Sequence, residues 1–165
     1  MRFRVFLSRI AGVACLLSLT AGAAVVAAPA DVAQIKSRQD KLRDMGDSLK
    51  TIDDELKKRT PDWDNIIQPN ARNLHERSPF LLKWFPKGTG PEAGTKTYAL
   101  PSIWQKNEDF VKAAKAAIAE ADKLNLVAAK KDVAEMKAQA FAMGKACKAC
   151  HDDYRSKDYE KDSEE

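Results

Sequence analysis

Cys147-Lys148-Ala149-Cys150-His151 is the stretch from which the rest of the chain can be read. Two cysteines three apart, with a histidine directly after the second, have the spacing of c-type haem attachment. Each thiol can add to one vinyl group of the porphyrin as a thioether. The adjacent imidazole then lies beneath the ring, where it can ligate the iron. Three other readings compete. A zinc site needs about four protein ligands, and the only other histidine, His75, falls on a different predicted element. A dithiol redox pair wants a CxxC beside a βαβ pattern, and nothing here reads as βαβ. A Cys147–Cys150 disulfide would leave His151 without a role. The expected cofactor is one covalent haem c with its iron, held by Cys147 and Cys150 with His151 as proximal ligand.

Upstream of the motif the chain reads as helix. Val127, Val133, Met136, Ala140, Met143, Cys147 and Tyr154 recur at helical spacing, so a helix from about Leu126 carries the motif near its C-terminal end. A preceding helix starts near Pro101, with proline at or near its first position. Its face is Ile103, Trp104, Phe110, Ala113, Ala114, Ala117, Ile118, Ala121 and Leu124. Further back, Pro86 to Gly94 is dense in glycine and proline and reads as a long irregular loop. Loops of that length in a compact domain are packed for a reason. Before it come an apolar cluster at Phe80, Leu81, Leu82, Trp84 and Phe85, and a helix from Trp63 to about Arg77 that Asp62 can cap. Pro69 is expected to kink or break that helix. The first helix runs from Val32 through Ile35, Leu42, Met45, Leu49, Ile52 and Leu56 and ends at Arg59-Thr60-Pro61. Strand signals are absent. Four amphipathic helices with mostly short connections argue an all-α, antiparallel four-helix bundle over residues 31–157, with the haem near the C-terminal helix. Residues 158–165 read as a charged tail, frayed or disordered. Tyr154, Trp104 and Phe141 are expected to pack the core or the haem edge, and His75 to lie at the surface.

Residues 1–30 read as a signal peptide. Arg2, Arg4 and Arg9 precede an apolar run from Ile10 to Leu19 and then small residues, with cleavage expected between positions 24 and 30. The run is too short for a membrane-spanning helix. Cys15 lies in it and is lost with it, and Gly12 stands where a lipoprotein signal wants leucine. The leader holds three of the 28 Lys and Arg and none of the 24 Asp and Glu, which leaves 25 against 24, a net charge of +1. No basic stretch with interleaved aromatics is present, so nucleic-acid binding is not expected. The mature chain is expected in the periplasm and not spanning the membrane.

A C-terminal CxxCH on the last helix of an exported all-α domain resembles the class II cytochromes c, the cytochrome c′ family. Arg38-Gln39 is similar to the family's Arg-Gln start, Phe85-Pro86-Lys87-Gly88-Thr89-Gly90 to its inter-helix loop, and Ala99-Leu100-Pro101-Ser102-Ile103-Trp104 to the opening of its third helix. Cys147 to Arg155 is similar to its haem segment. The resemblance covers nearly the whole mature chain. It implies His151 as axial ligand, Arg155 over the proximal haem face and Arg38 on a haem propionate. It places Leu42 toward the open side of the iron, which would leave the iron five-coordinate. Met45 lies about one turn on and is the alternative sixth ligand, as low-spin members use a methionine from the first helix.

Two functions of different class follow from these residues. One is an electron carrier exchanging electrons with unidentified redox partner proteins. The other is a module that binds small diatomic gases, nitric oxide or carbon monoxide, at an open iron. No nucleophile, acid–base pair or second metal site stands out, so an enzyme is not expected. The family is often homodimeric through its first two helices, which makes a homodimer an implied state.

Overall fold

The computed structural model of the chain describes residues 29–163. The signal peptide and its cleavage site lie outside the described residues, apart from the start of the first helix.

Helix α1 spans Pro29–Glu55. Its inward face is Ile35, Arg38, the half-buried Leu42, Met45, Ser48 and Ile52, at steps of three and four, which is the spacing that keeps one side of a helix on a core. Val32, expected on that face, is 41% exposed. The chain then turns through Asp62, whose side chain accepts from the Asn65 N–H at 3.0 Å. A short π-helical turn, Trp63–Ile67, follows and runs directly into α2, Gln68–Arg77. Pro69 therefore does not break the helix. It sits in the first turn of α2, where the π-helical turn gives way to α-helix and the fixed φ of proline suits the new helix.

A 3₁₀ segment, Ser78–Trp84, carries Leu81 and Trp84 into the core. After the Gly/Pro-rich loop come a short α3, Ser102–Gln105, then α4, Asn107–Ala128, α5, Val133–Tyr154, and α6, Asp158–Ser163. The four long helices α1, α2, α4 and α5 form a four-helix bundle, with α4 packed along α5, α1 along α2, and α2 against α4. Ile52, Ile67, Ala71, Leu74, Leu124, Met136 and Met143 are buried at its centre. A second, smaller cluster of Ile103, Phe110 and Tyr154 lies beside the motif end of α5.

Three further expectations need correction. The motif helix does not begin near Leu126. Leu126 and Val127 end α4, and Lys131 takes a left-handed φ of 55° before Asp132 caps α5 by accepting the Glu135 N–H at 2.8 Å. The tail is not frayed over 158–163, because α6 folds back on the segment around Tyr98. Phe141 does not pack the core: it is 69% exposed, with Lys145 over its ring.

Candidate functional site

α5 holds Cys147, Cys150 and His151 on its last two turns. The end of that helix is tied to the segment before α3. Leu100 N donates to Tyr154 O at 3.0 Å and Ser156 N donates to Tyr98 O at 2.7 Å, an isolated antiparallel bridge between Ala99 and Arg155. Between α1, this strap, α4 and α5 lies a cavity of about 480 Å³. That is within the range of pockets for small organic ligands and cofactors. α1 contributes Arg38, Leu42 and Gly46, spaced by four, so one helical stripe faces the space. α4 contributes Phe110 and two small residues, Ala114 and Ala117, which leave width between the helices. α5 contributes Cys150, His151 and Tyr154, and Arg155 follows directly. The cavity reaches the surface at Arg43, Asp47 and Lys96.

The structure thus brings Arg38, Leu42, Cys150, His151 and Arg155 to one cavity. Two of the expected residues lie off its wall. Cys147 packs against the main core cluster, and Met45 is 6% exposed inside that cluster. Both thiols are free and half-buried, and burial raises both, Cys150 to about 11. Before any haem is attached they are therefore S–H groups at neutral pH, unlike the thiolate of a reactive redox pair. His75 is half-exposed, and its Nδ1 meets Asp122 Oδ1 at 2.7 Å, which ties α2 to α4 away from the cavity.

Electrostatics in the cavity follow from burial. Desolvation, with the Arg155 charge adding to it, pushes His151 down to about 4, so its imidazole is neutral at pH 7 and keeps a nitrogen lone pair. Arg38 is 2% exposed, and desolvation lowers it to about 10, so it remains a cation. Its guanidinium has no carboxylate at ion-pair distance among the described residues. Its Nη atoms donate instead to Thr89 Oγ1 at 3.0 Å, Thr89 O at 3.0 Å and Thr97 Oγ1 at 2.9 Å, and its plane lies over the Phe85 ring at 4.6 Å. Neighbouring Gln39 donates to Lys96 O at 3.2 Å. A neutral imidazole, a thiol, apolar walls and a buried cation with no carboxylate at ion-pair distance fit a haem: a nitrogen for iron, sulfur for a vinyl carbon, and a positive charge for a propionate. Among the described residues, no three His, Cys, Asp or Glu side chains gather as a separate metal cluster.

Several residues at the site had no reading from the sequence. Thr89 is the packed centre of the Gly/Pro-rich loop, since it receives Arg38 from 51 positions away. Tyr98 and Tyr159 also line the cavity. For the first, the density of glycine and proline and the likeness of Phe85 to Gly90 to the family's inter-helix loop marked the segment but gave Thr89 no role of its own. Nothing in the sequence marked the tyrosines.

Comparison with known proteins gives the same fold and one family. A family model described as cytochrome C′ matches residues 33–155. The chain is similar to the cytochrome c′ of Rhodopseudomonas palustris, 35% identical over 153 residues, which cover 90% of this chain and 97% of that one. Its fold is similar to that of cytochrome c′ from Thermochromatium tepidum, with a TM-score of 0.71 at 27% identity over 76% of this chain and 96% of that one. It is also similar to a nitric oxide complex of a leucine-to-isoleucine variant of cytochrome c prime from Alcaligenes xylosoxidans, with a TM-score of 0.68 at 27% identity over 77% and 97% of the two chains.

Proposed function

The chain belongs to the cytochrome c′ family, and from that premise we propose that it is an exported one-electron carrier, with His151 as the iron's protein ligand and no ligand on the side of Leu42. Its cofactor is covalent haem c with iron. When bound, the iron supplies reversible exchange of one electron between the ferric and ferrous states. Cys150 on the cavity wall and Cys147, one turn earlier on the same helix, would hold the porphyrin as thioethers, and His151 would offer its neutral nitrogen. Arg38 is the cation for a propionate, and Arg155 stands beside His151. The opening of the cavity at Arg43, Asp47 and Lys96 supports electron exchange with a docked protein partner. Export to the periplasm rests on the leader sequence. No described helix is long and apolar enough to cross a membrane.

The observation that carries the reading is the α1 stripe. Leu42 lies on the cavity wall and Met45 lies in the bundle core. Leucine has no donor atom, so an iron bound in this cavity would find no protein ligand at Leu42. The same observation favours a second reading, binding of nitric oxide or carbon monoxide. Leu42 leaves room for a neutral diatomic and offers no hydrogen bond to hold oxygen. The nitric oxide complex of the Alcaligenes relative is in keeping with it.

One optical experiment tests both. The ferric protein is expected to be high-spin, and the ferrous protein is expected to bind carbon monoxide readily. A methionine-to-iron band in the near-infrared of the wild type would overturn the open site. His151→Ala is expected to change the visible spectrum, and an unchanged spectrum would assign the iron to another residue.

A further inference from the structure

α6 and the strap make a compact cluster on the His151 side of the cavity. Tyr98 Oη donates to Asp162 Oδ2 at 2.7 Å, and Lys96 Nζ pairs with the same oxygen at 2.9 Å. The Tyr159 ring meets the Tyr98 ring edge-on, with 5.2 Å between centroids. The guanidinium carbon of Arg155 lies 4.3 Å from the centre of the Tyr159 ring, and Arg155 Nη2 is 3.6 Å from Glu160 Oε1. Arg155, Tyr159 and His151 all line the cavity. Arg155 and His151 also share the small polar recess beside it with Lys148 and Asp152. Arg155 is thus 28% exposed, although it follows the last turn of a helix, where an arginine would ordinarily extend into water.

Taking His151 as the iron ligand, as proposed above, we propose that Tyr159 is a positioning residue for the redox centre. By stacking on Arg155 while Asp162 latches α6 to Lys96 and Tyr98, it keeps a fixed positive charge against the cavity wall beside His151. The physical consequence is a tuned potential. A ferric centre carries one more positive charge than a ferrous one, so a nearby cation disfavours oxidation and raises the potential. The same guanidinium released into solvent is screened by water and salt and loses most of that effect. The face of Tyr159 holds the guanidinium without neutralising it, while Glu160, more loosely placed at 3.6 Å and itself largely exposed, offsets only part of the charge.

The test is a redox titration of the haem-loaded protein. Tyr159→Ala is expected to lower the midpoint potential, and Tyr159→Phe, which keeps the ring, is expected to leave it at the wild-type value. Asp162→Asn is expected to lower it partway, because the latch weakens and the ring stays. In an Arg155→Gln background, Tyr159→Ala is expected to produce no further shift, since coupled residues fail to add. A wild-type potential in Tyr159→Ala overturns the proposal. So does a full shift that survives in the Arg155→Gln background, which would make Tyr159 a cover against solvent. No shift in Asp162→Asn removes the latch from it. The spectrum of His151→Ala separates the two levels. If it is unchanged, the ligand reading is at fault; if it changes while Tyr159→Ala keeps its potential, the positioning role is at fault.

Discussion

Gly90 is the residue on which the loop around Arg38 closes. A Cβ there would lie 2.8 Å from Trp104 Cζ3 and against the Glu92 carboxylate, so Trp104 occupies the space a side chain would need. With that room, Trp104 Nε1 donates to the carbonyls of Phe85 and Pro86, at 3.1 Å each, and pins the segment leading to Thr89. Gly90→Ala is expected to destabilise the fold by about 1–3 kcal/mol, the usual cost of overfilling a packed site, read as a shift in the guanidinium unfolding midpoint. Met45 makes the opposite case. It fills the bundle core, so Met45→Leu is expected to change stability by less than about 1.5 kcal/mol and to leave the visible spectrum as it is. Loss of a near-infrared band in that variant would return Met45 to the iron. At this scale Cys150, His151 and Leu42 were legible, two from the motif and one from family resemblance joined to helical spacing. Thr89 was not, because its partner is distant in sequence and a threonine among glycines carries no pattern of its own.

The helices themselves were legible wherever one face is buried along their length, since apolar residues then recur every three to four positions. Their junctions were harder to place. Between α4 and α5 the chain reads Val127-Ala128-Ala129-Lys130-Lys131-Asp132-Val133, all compatible with helix and without glycine or proline. What stops α4 is the left-handed Lys131, and what starts α5 is the Asp132 side chain on the Glu135 N–H. Asp132→Ala is expected to cost about 1 kcal/mol, the usual worth of such a cap, measured by urea unfolding. At the other end of the bundle, Glu55 joins α1 to the next turn. Its carboxylate takes the Asp62 N–H at 2.9 Å and Lys58 Nζ at 2.6 Å, and these hold it below its ordinary value of 4.5. A carboxyl lowered by folding binds its proton more tightly when unfolded. Its stabilisation is therefore present above about pH 4.5 and is lost as pH falls below that toward the folded value. Glu55→Gln is expected to narrow the stability gap between pH 7 and pH 3.5, compared by urea unfolding. A gap as wide as in the wild type would assign the acid sensitivity to other carboxylates.

For the whole molecule, the cavity couples the cofactor to folding. Its walls come from α1, the strap, α4 and α5, so a group bound there touches all of them at once. Ligands that bind only the folded state stabilise it, and emptied apolar space destabilises it. The doubly substituted Cys147→Ala, Cys150→Ala chain, made without attached haem, is expected to melt at a lower temperature than the wild type. Its hydrogen-exchange protection is expected to fall first in α1 and the strap, with the centre of α2, α4 and α5 protected longest. Equal melting temperatures would show that the bundle does not depend on the group. The bundle was legible in the sequence because four stretches share one period. The return of α6 was not, because its contacts are made by charged and aromatic residues that a composition reading assigns to water. The bridge that ties Tyr98 and Leu100 to the end of α5 also fixes a timetable. The α1 wall is synthesised early, but the strap has nothing to hold until residues 154–156 have been made. A chain made only as far as Cys150 would therefore carry an unfinished chamber, with one of its walls still unfastened.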